Sequence, residues 1–245
     1  DAYWPLNDPA PRDGHVYTLC AGEVGVSATS IHLVRADAET GKIEWDSPLG
    51  THQLDSPTLR DERISQNVSQ YGVPVQVEDG SVYCATQMGF VARLDSRDGL
   101  ILWTSDYPRS HIDHSTNDAL SDRMGAAPIV AGDSLIVIPR DSVGVFAFDR
   151  ETGRRLWENP LAPSDRLIGR RGSTVICADE THIIGLSAEN GEVVWDRRFP
   201  EGFDAGPAMD DDRVFAVVGN RLISLHADGA ETSDSLGAQS LQGPL

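Results

Sequence analysis

A nine-residue pattern with a polar start, a central glycine and a terminal tryptophan occurs four times in this 245-residue chain. We call it the signature. A fifth, degenerate copy contains Gly229 but has Ser233 where the tryptophan would fall. A unit that recurs in this way predicts a repeat architecture. The four complete copies pair a glycine with a tryptophan four residues later: Gly41 with Trp45, Gly99 with Trp103, Gly153 with Trp157, and Gly191 with Trp195.

Short apolar runs surround each signature. In the second copy, residues 81–85 and 90–94 are rich in apolar and β-branched side chains and are bounded by polar turns. Such runs are typical of β-strands. Within the signature, an acidic residue or asparagine stands close to a glycine, which is typical of a hairpin turn. The chain has no amphipathic helical pattern of useful length, so we expect an all-β fold of four-stranded antiparallel units.

The strand after each turn carries the tryptophan. Ile43, Ile101 and Val193 each stand two residues before it. Strict alternation predicts that these residues share the face of their tryptophan. Arg155 breaks this pattern in the third copy.

The spacing of the signatures indicates two insertions. Successive tryptophans are separated by 58, 54 and 38 residues, and a bare four-stranded unit needs about 40. The extra residues fall at 51–71 and 105–124, which are polar and loop-like. Because loops on a rigid scaffold often carry function, Arg63, Tyr71 and Arg123 are candidates for binding a partner.

The repeated Asp-x-x-Thr-Gly-x-x-x-Trp motif resembles that of the quinoprotein-type (PQQ-like) β-propellers, over roughly residues 14–233. That family includes quinoprotein alcohol dehydrogenases and the non-catalytic BamB outer-membrane assembly lipoproteins. The resemblance implies a β-propeller of four-stranded antiparallel blades. About five are visible, which can belong to a ring of roughly seven or eight. It also implies that each signature tryptophan docks on the signature of a neighbouring blade, so the four glycine–tryptophan pairs are assigned a structural role.

We divide the chain into an N-terminal segment (1–13), repeats (14–230) and a flexible tail or linker (231–245). The first residue is Asp1, so we expect a processed chain or a piece of a longer one. Two interpretations of the ring remain open. In the one we favour, these repeats are part of a larger propeller. In the other, five blades close the ring, and residues 3–5 supply the strand and tryptophan missing from the fifth unit.

Composition limits the classes of partner. Twenty basic residues against 38 acidic ones give a formal net charge of −18, which argues against nucleic acid and anionic membrane surfaces. No apolar stretch is long enough for a membrane-spanning helix. Cys20, Cys84 and Cys177 all fall in predicted strands, and we expect buried free thiols.

The sequence offers little catalytic chemistry. In the dehydrogenases that the chain resembles, the quinone is held partly by a disulfide between adjacent cysteines, and this chain has no adjacent pair. We therefore expect no cofactor and no catalytic residue. His111, Asp113 and His114 are weak candidates for a metal site, and an exposed polar loop is the simpler interpretation. Residues 210–212 are three aspartates at a predicted hairpin turn, and we interpret them as solvent-exposed turn residues.

We expect a non-enzymatic scaffold or protein-binding module of the cell envelope, or of a multi-subunit assembly, in a bacterium or archaeon. Its partners would be other protein chains or further blades of the same protein. One alternative is a fragment of a PQQ-dependent dehydrogenase. Another is a carbohydrate-binding propeller, for which Tyr3, Tyr71 and Tyr107 look available.

Overall fold

A computed structural model describes residues 3–24, 28–53, 74–86, 88–109, 126–139, 141–160, 166–219 and 221–226. All regular secondary structure in these ranges is β-strand, as the apolar runs predicted. The strands are β1 (Tyr3–Pro5), β2 (Ala10–Arg12), β3 (His15–Val24), β4 (Ala28–Asp37), β5 (Ile43–Gln53), β6 (Gln76–Glu78), β7 (Ser81–Ala85), β8 (Phe90–Asp95), β9 (Ile101–Asp106), β10 (Ile129–Ala131), β11 (Ser134–Val137), β12 (Val145–Asp149), β13 (Arg155–Asn159), β14 (Arg166–Arg171), β15 (Thr174–Ala178), β16 (His182–Ser187), β17 (Val193–Arg198), β18 (Ala205–Met209), β19 (Arg213–Val218) and β20 (Arg221–His226).

The strands form five antiparallel sheets in chain order. The first has the order β1-β3-β4-β5, with β2 also paired to β3. The next three are four-stranded: β6-β7-β8-β9, β10-β11-β12-β13 and β14-β15-β16-β17. The fifth contains β18-β19-β20 within the described residues. In the three regular sheets, the second strand is buried almost throughout, and the last strand is exposed or half-buried apart from Trp195. The tryptophan-bearing strand is therefore the outer edge of each.

The N-terminal segment belongs to the first sheet. Strand β1 pairs antiparallel with β3, with Trp4 opposite Ala21, and β2 pairs with the other half of the same strand. The two short strands together form the first strand of this sheet. The interpretation in which residues 3–5 supply a strand to the fifth unit is therefore wrong for the described residues.

A β-bulge lies just before each signature tryptophan. The register between β8 and β9 skips Leu102, so that Trp103 faces Arg93 and Ile101 faces Leu94. The same shift precedes the other three tryptophans. Because the extra residue breaks strict alternation, Ile43, Ile101 and Val193 are exposed. Our expectation that they share the tryptophan face was wrong.

The predicted insertions start later than expected. Strand β5 continues to Gln53 and β9 to Asp106, so the first residues of both segments pair in a sheet. The rest of the first insertion lies outside the described residues. The second is described only as far as residue 109 and again from residue 126.

The chain divides into two compact units. The first contains Asp1–Pro128, Pro139–Val143 and Glu151–Arg154, and the second contains Ile129–Ile138, Gly144–Arg150 and Arg155–Leu245. The first unit has an apolar cluster that includes Leu33, Val82 and Leu94, and the second has one that includes Ile176 and Val214. Within the described ranges, no helix is long and apolar enough to cross a membrane.

Candidate functional site

The indole of Trp45 packs on the signature turn of the following repeat. A Cβ added to Gly99 would lie 2.7 Å from Cε3 of Trp45. The indole Nε1 donates to the carbonyl oxygen of Ser96 at 3.2 Å, and Ser47 Oγ donates to the carbonyl of Gly99 at 2.6 Å. Gly99 has φ of +73°, so both its backbone conformation and its missing side chain are needed here.

A matching contact occurs in the second unit. Trp157 lies against Gly191, and its Nε1 donates to the carbonyl of Ala188 at 3.0 Å. Asn159 Nδ2 donates to the carbonyl of Gly191 at 2.8 Å. A polar side chain two residues after the tryptophan thus reaches the glycine carbonyl in both places. The sequence carries this signal, but we did not use it.

Trp103 has the corresponding environment within the first unit. A Cβ on Gly153 would lie 2.7 Å from two of its ring carbons, Cδ2 and Cε3. The hydroxyl of Ser105, two residues after the tryptophan, donates to the carbonyl of Gly153. Trp195 is buried against Gly185, and its own following signature at Gly229 lies outside the described residues. We propose that the four glycine–tryptophan pairs have a packing role.

A tyrosine and an arginine that we did not identify from the sequence strengthen the first of these contacts. Tyr17, Arg35 and Trp45 stand opposite one another across β3, β4 and β5. The Arg35 guanidinium lies 5.9 Å from the Tyr17 ring centroid, and its Nη1 donates to the carbonyl of Ser96 at 2.6 Å. Its Nε lies 2.7 Å from a carboxylate oxygen of Glu44. A charged side chain therefore bridges its own sheet and the next signature turn.

The second sheet repeats this row. Tyr83, Arg93 and Trp103 are cross-strand partners, with Arg93 lying 5.8 Å from the Tyr83 ring centroid. Arg93 Nη1 donates to Glu151 Oε2 at 2.7 Å. The third and fourth sheets have aliphatic residues or glycine at these positions. The row follows from the pairing of three strands, and no single strand of the sequence indicates it.

A cluster of one buried carboxyl, a buried tyrosine and an arginine lies at the end of β9. The Tyr107 hydroxyl contacts the carbonyl of Thr86 and lies 2.7 Å from Asp141 Oδ1, while Arg109 Nε lies 3.2 Å from Asp141 Oδ2. The side chain of Asp141 is only 4% exposed. Burial raises the pKa of this carboxyl above its usual value, against the lowering effects of Tyr107 and Arg109. Desolvation and the nearby Asp141 raise the pKa of Tyr107 well above its usual value.

This cluster corrects one interpretation. Tyr107 was considered available to stack on a carbohydrate, but it is 4% exposed and its hydroxyl points to protein acceptors. Tyr71 lies outside the described residues, as do the side-chain surroundings of Tyr3.

Ser30, His32 and Asp46 have the connectivity of a nucleophilic triad. His32 Nδ1 lies 2.6 Å from Asp46 Oδ1, and Nε2 lies 2.8 Å from Ser30 Oγ. However, Ser30 is buried and its hydroxyl donates to the carbonyl of Gly22 at 3.2 Å. A hydroxyl has one hydrogen to donate, so the carbonyl of Gly22 competes with His32 Nε2 for the hydrogen of Ser30. The group links strands β3, β4 and β5.

The quinone site implied by the resemblance does not fit these residues. The three cysteines lie on β3, β7 and β15, buried and unpaired, as expected. Burial raises the pKa of Cys20 to about 11 and that of Cys84 to about 12, and it raises the pKa of Cys177 as well. They cannot supply the disulfide between adjacent cysteines.

Some of the remaining candidates lie outside the described residues, and others lie within them. His111, Asp113 and His114, proposed for a metal, and Arg63 and Arg123, proposed for a partner, lie outside the described residues. Among the residues that are described, no group of three or more His, Cys, Asp or Glu side chains is arranged to hold a metal ion. The three aspartates at 210–212 are exposed at the turn before β19.

Solved structures of two kinds share this fold. BamB from Moraxella catarrhalis is 18% identical with a TM-score of 0.58, covering 93% of this chain and 60% of that one. Quinohemoprotein alcohol dehydrogenase from Comamonas testosteroni is 16% identical with a TM-score of 0.55, covering 94% of this chain and 42% of that one. At these identities the likeness shows the fold alone: an all-β protein of antiparallel four-stranded sheets of the β-propeller type.

Sequence comparison is more specific. The "Outer membrane protein assembly factor BamB" of Yersinia pestis is 25% identical over 240 residues, or 92% of this chain. The chain spans about half the length of this curated relative, at 53%. A family model described as outer membrane protein assembly factor BamB matches residues 4–169, 114–185 and 144–233. Since these matches cover most of the sequence, the chain belongs to the BamB family of PQQ-like repeat proteins, as the signature indicated.

Proposed function

We propose that this protein is a non-enzymatic, protein-binding scaffold that acts in the assembly of outer membrane proteins. Membership of the BamB family carries this proposal, because the matching family model and the Yersinia pestis relative are both named as outer membrane protein assembly factors. The proposed location is extracytoplasmic, in the periplasm or cell envelope.

The physical character of the described surface supports a binding role. Buried apolar strands stabilise the sheets, and arginine and tryptophan side chains donate hydrogen bonds to the signature turns. The outer strands of the sheets carry exposed large apolar side chains, among them Ile43, Leu102 and Val194. Rigid sheets with exposed apolar groups suit recognition of another chain. Arg63, Tyr71 and Arg123 remain proposed contacts for that partner.

The proposal is tested in the organism that encodes the protein. Deletion of its gene should lower the amount of folded outer membrane β-barrel protein, and expression of the full-length protein should restore it. Membrane fractions would be compared by quantitative proteomics, with a lipid-anchored periplasmic protein as the control. Unchanged barrel levels after deletion would reject the proposal. Dye-linked dehydrogenase activity that appears on addition of PQQ and calcium would favour the alternative of a quinoprotein fragment.

A further inference from the structure

Three consecutive apolar residues stand exposed where β9 begins. Leu100 is 62% exposed, Ile101 38% and Leu102 44%. Strand β9 is the last strand of its sheet, and no described strand pairs with its outer side. A run of exposed apolar residues along an unpaired edge is a hazard for aggregation unless it is used to bind something.

The other copies of the signature serve as internal comparisons. The three positions after the glycine are Lys42-Ile43-Glu44 in the first copy, Arg154-Arg155-Leu156 in the third and Glu192-Val193-Val194 in the fourth. Each of these includes at least one exposed charged side chain, the usual protection of an edge strand. The second copy alone has none, although its turn and bulge are the same.

The bulge does not account for this difference. It lies before the tryptophan in all four sheets and twists each outer edge in the same way. The missing charges in the second copy are therefore a property of β9 and not of the bulge. Beyond the bulge, Thr104 and Asp106 continue the edge as exposed residues.

Charge indicates what the edge accepts. Two exposed carboxylates flank this edge. Asp98 lies two residues before the apolar run, and Asp106 is the last residue of β9. The whole chain carries −18, so pairing with a second copy would bring two strongly acidic molecules together. A partner with basic residues on either side of an apolar stretch meets both features.

We propose that the outer edge of β9 is a docking site for an extended segment of a partner protein, apolar in its centre and basic at its ends. The segment adds a strand beside β9, its apolar side chains contact Leu100 and Leu102, and its basic groups lie near Asp98 and Asp106. The proposal rests on the proposed protein-binding function and names the surface and the partner chemistry.

Fluorescence anisotropy with synthetic peptides tests the proposal on the intact chain. The probe is a labelled peptide of alternating valine and threonine with lysines at both ends. A matched peptide has glutamates at its ends, and a third has alternate backbone amides methylated to prevent strand pairing. We expect the lysine peptide to bind, and both matched peptides to bind roughly tenfold more weakly or not at all.

Variants locate the site. Leu100→Lys with Leu102→Glu gives β9 the residues of the first copy, so the same turn and bulge tolerate them. We expect this double variant to bind the lysine peptide roughly tenfold more weakly while its thermal unfolding is unchanged. Val194→Lys, at the position in β17 that matches Leu102, is the control and should bind like the unaltered chain.

Three results would overturn the proposal. They are no binding of the lysine peptide, equal binding by the double variant, and a concentration-dependent dimer that the double variant abolishes, which would assign the edge to a second copy. The proposed function would survive any of them, because it is judged from barrel protein levels in the deletion strain. Unchanged barrel protein levels after deletion would reject the function, whether or not the peptide binds.

Discussion

Gly99→Ala is expected to destabilise the protein far more than Gly41→Ala, although the two glycines hold the same position in the signature. Both have positive φ, at +73° and +69°, which costs alanine about 1–2 kcal/mol. At Gly41 an added Cβ meets nothing within 4 Å, whereas at Gly99 it would lie 2.7 and 2.8 Å from two carbons of Trp45 and closer still to the hydroxyl of Ser47. Overpacking of this kind adds about 1–3 kcal/mol.

The free energy of unfolding should therefore fall by about 1–2 kcal/mol for Gly41→Ala and by about 2–5 kcal/mol for Gly99→Ala. Urea unfolding followed by tryptophan fluorescence measures both. The difference between the two variants measures the crowding by the Trp45 indole and the Ser47 hydroxyl, because the backbone cost is shared. Equal losses would mean that Trp45 does not pack on Gly99, and the structural role proposed for the glycine–tryptophan pairs would fail with it.

Asp141→Asn is expected to stabilise the protein at neutral pH. The single hydroxyl hydrogen of Tyr107 lies between two acceptors, the carbonyl of Thr86 and Asp141 Oδ1. When Asp141 is ionised, this hydrogen can serve only one of the two acceptors at a time. When the carboxyl is protonated, it can donate to Tyr107 while Tyr107 donates to the carbonyl of Thr86, so both contacts are satisfied. An asparagine amide can donate at this place at every pH and recovers about 1 kcal/mol.

The pH dependence has a definite sign. Burial raises the pKa of Asp141 in the folded state, so the folded protein holds this proton more tightly than the unfolded chain does. The stabilising contribution is complete below the ordinary value of 3.8 and is lost as pH rises through the folded pKa. The gain from Asp141→Asn should accordingly be large at pH 7 and small near pH 4.

Urea unfolding of both proteins across this pH range measures the effect. Asp211→Asn, an exposed carboxylate at a turn, is the control and should change stability little at any pH. If Asp141→Asn were less stable than the unaltered protein at pH 7, the ionised carboxylate and its pair with Arg109 would be the stabilising form. That result would contradict our account of the cluster.

The strands could be predicted well because the two features that indicate them, turn glycines and short apolar runs, are local. A positive-φ glycine such as Gly99 and a short apolar run such as residues 81–85 act within a few residues of the chain. The bulge was missed because it depends on which residue of β8 faces Trp103, and pairing between strands is not written in either strand alone. The exposure of Ile101 follows from that register.

The clusters needed information from distant parts of the chain. Arg35 reaches the carbonyl of Ser96 across 61 residues, and Tyr107 meets Asp141 across 34. Neither pair has a spacing that marks it as a contact. The carboxyl of Asp141 looks like an ordinary loop residue in the sequence, and its raised pKa exists only because folding buries it.

We propose that this protein works by binding other proteins in outer membrane assembly. The most direct test is gentle purification of the full-length protein from the envelope of its own organism, followed by native mass spectrometry of what remains attached. We predict a stoichiometric complex with proteins of the outer membrane assembly machinery. Recovery of the protein alone, with dehydrogenase activity after PQQ and calcium are added, would contradict the claim.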